Sequence, residues 1–231
     1  MKDVKALVFD FGGTLDTDGI HWHTMWKTAY AACGLQIESE LFDAAYFEAE
    51  RILNESEPIS LNYKELLSFK AAAQFRHIYS EKFDLFEEYR DRAELVALYC
   101  YEYAVGVSQV ARDVLEKLKK RYALAAVSNF YGNLRIVLNE LRLLELMEVV
   151  IDSKIEKVRK PDKQIFLLAA EKLHCNPGEC AVIGDSYVQD IVPAKQAGFH
   201  TIMLSKDNNP TFSFDSADVV IGSVAQLTEY L

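Results

Sequence analysis

The chain has 231 residues, of which 50% are hydrophobic and 26% are charged, a composition typical of a folded protein with a substantial core rather than a disordered or low-complexity chain. Its four cysteines are scattered without a CxxC pair, which favours reduced thiols in a cytoplasmic protein. The 35 acidic and 25 basic residues give a net charge of −10, the wrong sign for binding nucleic acid or an anionic membrane surface.

The first predicted element is a short buried strand, Val4–Phe9, rich in β-branched and apolar residues. It runs directly into Asp10, and no apolar run in the chain approaches the roughly 20 residues that cross a bilayer, so we expect neither a signal peptide nor a membrane anchor. The strand is followed by Asp10-Phe11-Gly12-Gly13-Thr14-Leu15. Because glycines allow backbone N–H groups to approach an anion closely, this turn is a candidate anion site.

The next segment, residues 16–105, contains no convincing strand and predicts consecutive helices. These are Trp22–Cys33, Leu41–Leu53, Tyr63–Tyr79 and Leu85–Tyr103, with a turn at Asn54–Pro58. The segment is rich in aromatic residues, which we expect to fill a small core between the helices. His21 and His23 could place two imidazoles on one side of an extended segment, but no third ligand of the same kind stands nearby to complete a metal site.

Strands and helices alternate in the rest of the chain. The predicted strands are Tyr122–Val127, Val149–Ile151, Ala181–Ile183, Thr201–Leu204 and Asp218–Ile221, and the predicted helices are Ser108–Lys120, Leu134–Leu144, Pro161–His174 and Asp190–Ala197. Ser108 is expected to cap the first helix, Pro161 to lie in a first helical turn and Gly198 to follow the last helix.

Alternation of this kind predicts an α/β fold with a doubly wound, mostly parallel, Rossmann-like sheet covered on both faces. We therefore expect residues 1–15 and 106–231 to form a core domain and residues 16–105 to form an all-helical domain inserted after the first strand.

Polar residues stand at the carboxyl ends of the predicted strands, the edge at which doubly wound sheets bind ligands. They are Asp10 after the first strand, Ser128-Asn129 after the second, Lys160-Pro161-Asp162 before the fourth, and Gly184-Asp185-Ser186 after the fourth, with Asp190 five residues beyond Asp185.

These side chains suggest phosphoryl chemistry. Asp10 and Asp185 on neighbouring strand ends would repel each other unless a divalent cation lay between them, and hard oxygen ligands suit Mg²⁺. Lys160 and Ser128 could hold the remaining phosphoryl oxygens. A carboxylate placed in this way can attack phosphorus and form an aspartyl-phosphate.

The four segments, in this order and with a helical insertion between the first and second, resemble the haloacid dehalogenase superfamily of hydrolases with a C1-type helical cap. The resemblance covers nearly the whole chain, and its most specific parts are the string Gly184–Asp190 followed by Ala194, Ala197 and Gly198, and Lys160-Pro161-Asp162 preceding Ile165-Phe166. It implies that Asp10 is the nucleophile, Ser128 a phosphate-binding hydroxyl, Lys160 the catalytic cation, Asp185 a metal ligand and Asp190 its companion at the metal. It also implies that Asp10 and the backbone oxygen of Gly12 bind the metal, and Gly13, Thr14 and Asn129 are further candidates for phosphate contacts.

One position departs from this pattern. Phosphatases of the superfamily usually carry a second Asp two residues after the nucleophile, which protonates the leaving alkoxide and later activates water, and here that position is Gly12. Asp16 and Asp18 lie close in sequence and are candidates to replace it. The expected function is Mg²⁺-dependent hydrolysis of a small phosphorylated metabolite, with an impaired or relocated general acid and a cap that excludes water.

Three alternatives remain open. Dehalogenation does not need the missing acid in its usual place, but dehalogenases of the superfamily typically lack the acid found here at Asp185. A phosphonatase would need a cap lysine, for which Lys27, Lys64 and Lys70 are candidates. A catalytically weak member that binds phosphate or a partner protein would account for Gly12, but has no evident need for Asp10.

Overall fold

The computed structural model describes residues 3–56, 58–79, 86–206 and 214–231. Its strands are β1 (Ala6–Phe9), β2 (Ala123–Ser128), β3 (Val149–Asp152), β4 (Cys180–Gly184), β5 (His200–Leu204) and β6 (Val219–Ile221). They form one six-stranded sheet in the order β3-β2-β1-β4-β5-β6, and every neighbouring pair is parallel. The predicted α/β fold with a doubly wound parallel sheet is confirmed.

Strand β1 lies at the centre of this sheet, with β2 on one side and β4 on the other. All four of its residues are fully buried, and because side chains alternate along a strand, Leu7 and Phe9 pack into one hydrophobic cluster and Ala6 and Val8 into a second. The strand order reverses between β1 and β4. This reversal opens a crevice at the carboxyl ends of the two strands that lead into Asp10 and Asp185.

The helices pack on both faces of the sheet and over the carboxyl ends of its strands. They are α1 (Trp22–Ala32), α2 (Ser39–Ser56), α3 (Tyr63–Ile78), α4 (Phe86–Leu118), α5 (Leu134–Glu140), α6 (Ser153–Glu156), α7 (Gln164–Lys172), α8 (Val192–Gln196) and α9 (Leu227–Tyr230). Helices α1 to α4, here called the helical insertion, all lie between β1 and β2. None of the helices in the described ranges combines the length and the apolar character needed to cross a membrane.

The aromatic residues of the helical insertion do not form a separate small core. Trp26, Phe42 and Phe75 are buried in the same contiguous cluster as Leu7 and Phe9 of the sheet. The aromatic residues thus pack between the helices as expected, but the core they fill is larger than expected, since the insertion and one face of the sheet share their apolar interior.

Helix α4 also corrects the sequence analysis. Ser108, expected to cap a new helix, lies buried inside the continuous 33-residue α4, where its hydroxyl donates to the backbone oxygen of Leu15 at 3.4 Å. Gly106 costs a helix only about 1 kcal/mol, and buried residues on both sides of it, such as Cys100 and Ala111, keep one apolar face along the helix. The expected division between residues 105 and 106 falls within α4, and the domain boundaries stay a prediction.

Several further boundaries differ from expectation. Helix α5 ends at Glu140 rather than Leu144, and α2 continues to Ser56 through part of the expected turn. Pro161 lies in a turn, closed by the Asp162 N–H donating to the Arg159 oxygen at 2.9 Å, and α7 begins only at Gln164. Asp190 belongs to a π-helical turn, Tyr187–Ile191, ahead of α8. Leu85, expected to begin a helix, lies outside the described residues.

Candidate active site

Three carboxylates meet at the crevice between β1 and β4. The backbone N–H of Asp10 donates to the Ile183 oxygen at 2.8 Å, which extends the pairing of the two strands by one residue and fixes Asp10 beside the end of β4. One carboxylate oxygen each from Asp10, Asp185 and Asp190 lies within 4.8 Å of the others, and this is the single group of potential metal ligands found among the described residues. The sheet topology therefore brings together the acidic residues that the sequence analysis selected.

Lys160 lies among these carboxylates. Its Nζ is 2.5 Å from Oδ1 of Asp10 and 2.6 Å from Oδ1 of Asp190, and all three side chains are buried. Burial lowers the pKa of the Lys160 ammonium, but the two carboxylates more than offset this effect, so its pKa is raised above the ordinary value. The cluster thus holds one permanent positive charge against three acidic groups.

The pKa values of Asp185 and Asp190 are both raised in this cluster. Burial raises the pKa of this carboxyl well above its usual range, and the nearby Asp10 and Asp190 raise it further. Burial likewise raises the pKa of Asp190, against the opposing effect of Lys160. A divalent cation would relieve the repulsion, and the hard oxygen donors present are those that Mg²⁺ prefers. The residues therefore fit such an ion.

The glycine turn contacts the carboxylates of the site. The Gly13 N–H, expected to bind phosphate, donates to Oδ1 of Asp16 at 2.8 Å, and Thr14 is buried with its hydroxyl 3.3 Å from Asp10 Oδ2 and 3.2 Å from Asp185 Oδ1. Gly13 has a φ of +107°, and a Cβ there would lie 2.4 Å from the Asp185 carboxylate oxygens. Both residues contact carboxylates in this arrangement, and their assignment as phosphate-binding residues stays a prediction.

Gly12 is a different kind of position. A Cβ on Gly12 would lie 3.6 Å from Cδ1 of the Trp22 indole, which is an ordinary contact distance. The indole therefore borders the space into which a side chain at position 12 would point, and the described backbone leaves room for at least a β-carbon there.

Ser128 and Asn129 lie where the sequence analysis expected, at the end of β2. Ser128 is buried and lines the cavity described below. The Asn129 amide is already engaged, because Oδ1 accepts from the Lys160 N–H at 2.9 Å and Nδ2 donates to the Lys160 oxygen at 3.0 Å. Asn129 therefore fixes the backbone of Lys160, and its expected phosphate contact stays a prediction. Lys157, three residues before Lys160, is exposed.

The two acids proposed to replace the missing one have separate environments. Asp16 is fully buried at the edge of the cavity. Asp18 turns away, since its Oδ1 accepts from the Val224 N–H at 2.7 Å and from the Ser223 hydroxyl at 3.2 Å, and its Oδ2 lies 3.3 Å from Nζ of Lys206. Asp18 thus ties the end of the glycine turn to the C-terminal segment.

A cavity of about 220 Å³ opens above the carboxylate cluster. Its floor includes Asp10, Ser128, Lys160, Asp185 and Asp190, and its roof comes from the helical insertion together with the loop after β2. Roof residues that the sequence analysis did not select as site residues are Trp22, Tyr46, Glu50, Tyr63 and Tyr131. The volume suits a small ligand.

A buried ion pair crosses this roof. The Lys70 ammonium donates to Glu50 Oε1, and the Tyr131 hydroxyl of the loop after β2 donates to Glu50 Oε2 at 2.5 Å. Burial lowers the pKa of Lys70, but the Glu50 carboxylate outweighs it and the pKa is raised; burial raises the pKa of Glu50, but Lys70 brings it below its usual value. Both groups are therefore charged, and they join α2 and α3 to the loop after β2.

His21 and His23 have different partners. The His21 ring accepts from the His23 N–H at 3.2 Å at the start of α1, whereas His23 Nε2 lies 2.9 Å from Oδ1 of Asp43. Burial, followed by the neighbouring His23, lowers the pKa of His21. Each imidazole has a local structural contact, and neither belongs to the carboxylate cluster.

Comparison of the sequence and the fold with known proteins identifies the family of the chain. A curated relative that matches over 97% of this chain and 94% of its own length, at 24% identity, is the putative phosphatase YhcW of Bacillus subtilis. The rhythmically expressed gene 2 protein of Drosophila melanogaster is 30% identical over 118 residues, which are 48% of this chain and 45% of that protein, so the chain spans about half of that relative. A crystal structure of a dehalogenase covers 100% of this chain and 98% of its own with a TM-score of 0.67 at 20% identity, a likeness of fold. Residues 4–198 match the family model of haloacid dehalogenase-like hydrolases, and the chain therefore belongs to this family of hydrolases.

Proposed function

We propose that this protein is a Mg²⁺-dependent phosphatase that hydrolyses a small phosphorylated metabolite through an aspartyl-phosphate on Asp10. The observation that carries the proposal is the meeting of Asp10, Asp185, Asp190 and Lys160 beneath a cavity of about 220 Å³. Full-length similarity to the putative phosphatase YhcW supports the same reaction class.

Asp10, Asp185 and the backbone oxygen of Gly12 would hold the Mg²⁺ ion, with Asp190 as their companion. When bound, the ion supplies positive charge that offsets the repulsion between a phosphoryl group and the carboxylates. Asp190 is the less open of the two later acids, because its Oδ1 accepts from Lys160 and its Oδ2 from the Ser186 N–H at 3.1 Å.

The chain's own groups account for the nucleophilic step. Lys160 fixes one oxygen of Asp10 at 2.5 Å, and its buried ammonium, together with the Ser128 hydroxyl, is placed to bind phosphoryl oxygens. Asp10 attacks phosphorus as the bond to the leaving oxygen breaks, and water then breaks the aspartyl-phosphate to release phosphate. The helical insertion excludes bulk water from this step and acts as the cap.

The environments of the candidate lysines disfavour a phosphonatase. Schiff-base formation needs a neutral amine, yet Lys70 is held charged by Glu50. Lys27 donates to Ser39 at 3.0 Å and lies 3.2 Å from Asp43, and Lys64 is exposed. A dehalogenase is disfavoured because Asp185 is retained within the carboxylate cluster.

A cytoplasmic location remains part of this proposal. The four free cysteines agree with the reduced thiols expected from the sequence.

A screen of phosphorylated metabolites with Mg²⁺ and with EDTA tests the function. We expect Mg²⁺-dependent phosphate release from a small substrate, and none from the Asp10→Asn variant. Asp113→Asn is the matched control, since Asp113 is exposed on α4, and it should retain the parent activity. Equal phosphate release by the parent and by Asp10→Asn, or no release from any substrate in the presence of Mg²⁺, would contradict the proposal.

A further inference from the structure

The residues around Gly12 narrow the search for the missing proton donor. Asp18 is engaged with the C-terminal segment through Ser223, Val224 and Lys206. The space beside Gly12 is bordered by the Trp22 indole, and the same indole N–H donates to Oδ2 of Asp16 at 2.9 Å. Asp16 is therefore the acid that lies next to the vacant side-chain position.

Asp16 borders the cavity, but both of its carboxylate oxygens already accept hydrogen bonds from neighbouring groups. Its Oδ1 accepts from the Gly13 N–H, and its Oδ2 accepts from Trp22 and from the Tyr63 hydroxyl at 2.7 Å. An amide N–H and an indole N–H can only donate, whereas a phenolic hydroxyl both donates and accepts. Of these three partners found among the described residues, Tyr63 is therefore the one that can pass a proton onward.

Tyr63 lines the cavity, and contacts to its backbone and ring hold it in position. It is the first residue of α3, its N–H donates to Glu140 of α5 at 2.6 Å, and Asn62 caps the helix in a reciprocal pair with Glu65. Its ring packs edge-on against Phe11, with centroids 5.8 Å apart. Because Phe11 follows Asp10 directly, the position of the Tyr63 hydroxyl is tied to the loop that carries Asp10.

We propose that Tyr63 is the catalytic proton donor of this site, with Asp16 behind it as the residue that supplies and takes back the proton. The pair would replace the carboxyl that Gly12 lacks. This inference rests on the proposed phosphatase function and goes beyond it by assigning the general acid.

The proton transfers balance over the two half-reactions. As the Asp10–phosphorus bond forms and the bond to the leaving oxygen breaks, Tyr63 gives its proton to that oxygen and takes the carboxyl proton of Asp16. In the second half-reaction, water attacks phosphorus, its proton goes to the Tyr63 oxygen, and the Tyr63 proton returns to Asp16 as the bond to Asp10 breaks.

The environment of Asp16 is compatible with both the protonated and the ionised form of its carboxyl group. Burial raises the pKa of Asp16 to about 6, even though hydrogen bonds from Tyr63, Gly13 and Trp22 lower it. A carboxyl that titrates close to neutral pH can serve as acid in one step and as base in the next.

The test compares two leaving groups, p-nitrophenol from p-nitrophenyl phosphate, which departs without help, and phenol from phenyl phosphate, which needs a proton more. General acid catalysis contributes roughly 10²–10⁴-fold, so we expect Tyr63→Phe to reduce kcat/KM for phenyl phosphate about 100-fold or more and for p-nitrophenyl phosphate less than about 10-fold. Asp16→Asn should show the same selective loss. Tyr30→Phe and Asp18→Asn are matched controls outside the cavity and should affect both substrates equally.

A rescue experiment separates proton donation from a structural role. Introducing Gly12→Asp into Tyr63→Phe should restore the hydrolysis of phenyl phosphate, because the new carboxyl would stand at the position bordered by Trp22. Equal losses on the two substrates in Tyr63→Phe, or no loss on either, overturn the inference while leaving the phosphatase proposal intact. A parent protein that hydrolyses neither aryl phosphate nor any metabolite in the Mg²⁺ screen overturns the proposed function itself.

Discussion

Replacing Lys160 by Met tests the electrostatics of the carboxylate cluster. The variant removes an ammonium that lies 2.5 Å from Asp10 and 2.6 Å from Asp190, and it leaves three acidic groups with oxygens within 4.8 Å of one another. At an effective dielectric constant near 20, two unit charges at 4.8 Å repel each other by about 3.5 kcal/mol. Removing one partner of a buried ion pair typically costs about 3–5 kcal/mol, and we expect a loss of this size in the free energy of unfolding at pH 7 without divalent ions.

The pH dependence of this loss has a definite sign. The folded-state pKa values of Asp185 and Asp190 are raised above those of the unfolded chain, so the folded state takes up protons more readily. The stability gained by protonation is present at low pH and is lost as pH rises through the folded-state values. Lys160 lowers the pKa of both carboxyls, so its removal raises them further and the variant gains more stability from protonation. The difference between the parent and Lys160→Met should therefore shrink as pH falls from 7 to 5. Mg²⁺ should also narrow it, because the variant has lost a competing positive charge and should bind the ion more tightly than the parent.

Urea unfolding of the parent, Lys160→Met and Lys163→Met at pH 7 and pH 5, each with EDTA and with Mg²⁺, measures these effects. Lys163 is the matched control because it is exposed and close in sequence, and its replacement should change stability by less than about 0.5 kcal/mol. If Lys160→Met is as stable as the parent at pH 7 in EDTA, the Lys160 ammonium does not offset repulsion among the three carboxylates, and the reasoning is refuted.

Three further predictions concern the metal site, the roof of the cavity and the glycine turn. Isothermal titration calorimetry should show a larger loss of Mg²⁺ affinity in Asp185→Ala than in Asp190→Ala, and equal affinity in Asp185→Ala and the parent would contradict the assignment of Asp185 as a ligand. Lys70→Met and Glu50→Gln should each lower the free energy of unfolding by about 3–5 kcal/mol, because each leaves a buried partner unpaired. The double variant should lose less than the sum of the two single losses. Strict additivity in urea unfolding would show that the buried pair is not coupled. Asp18→Ala should lower stability by about 1–3 kcal/mol through its lost hydrogen bonds without changing kcat, and a large fall in kcat at full stability would instead place Asp18 in the reaction.

The sheet and the acidic cluster could be predicted because their signals are local. A short apolar run ending in a carboxylate identifies a buried strand and its polar end, and parallel strands bring such ends to one edge of the sheet. Asp10 and Asp185 are identified in this way. Lys160 is identified by the resemblance of Lys160-Pro161-Asp162 to the family motif, although it is 150 residues from its partner Asp10.

The roof of the cavity could not be predicted in the same way, because its residues meet only through the packing of separate helices. Glu50, Lys70 and Tyr131 come from α2, α3 and the loop after β2, and no sequence spacing relates them. Tyr63 left one local signal, the Asn62 and Glu65 capping pair that marks it as the first residue of α3. Its contact with Asp16, 47 residues away, depends on tertiary structure.

The same distinction accounts for the errors. Gly106 and Ser108 have the local character of a helix boundary, but the apolar face of α4 continues through them. There the packing of the whole helix overrides a correct reading of local preference.

The most direct test of Asp10 as the nucleophile is acid quenching during turnover, followed by mass spectrometry of the peptide that contains Asp10. With a substrate from the Mg²⁺ screen, we expect this peptide to gain the mass of one phosphoryl group, to lose it on treatment with hydroxylamine, and to remain unmodified in Asp10→Asn. Turnover without a phosphorylated Asp10 peptide, together with a phosphorylated residue elsewhere or an active Asp10→Asn variant, would contradict the proposed mechanism.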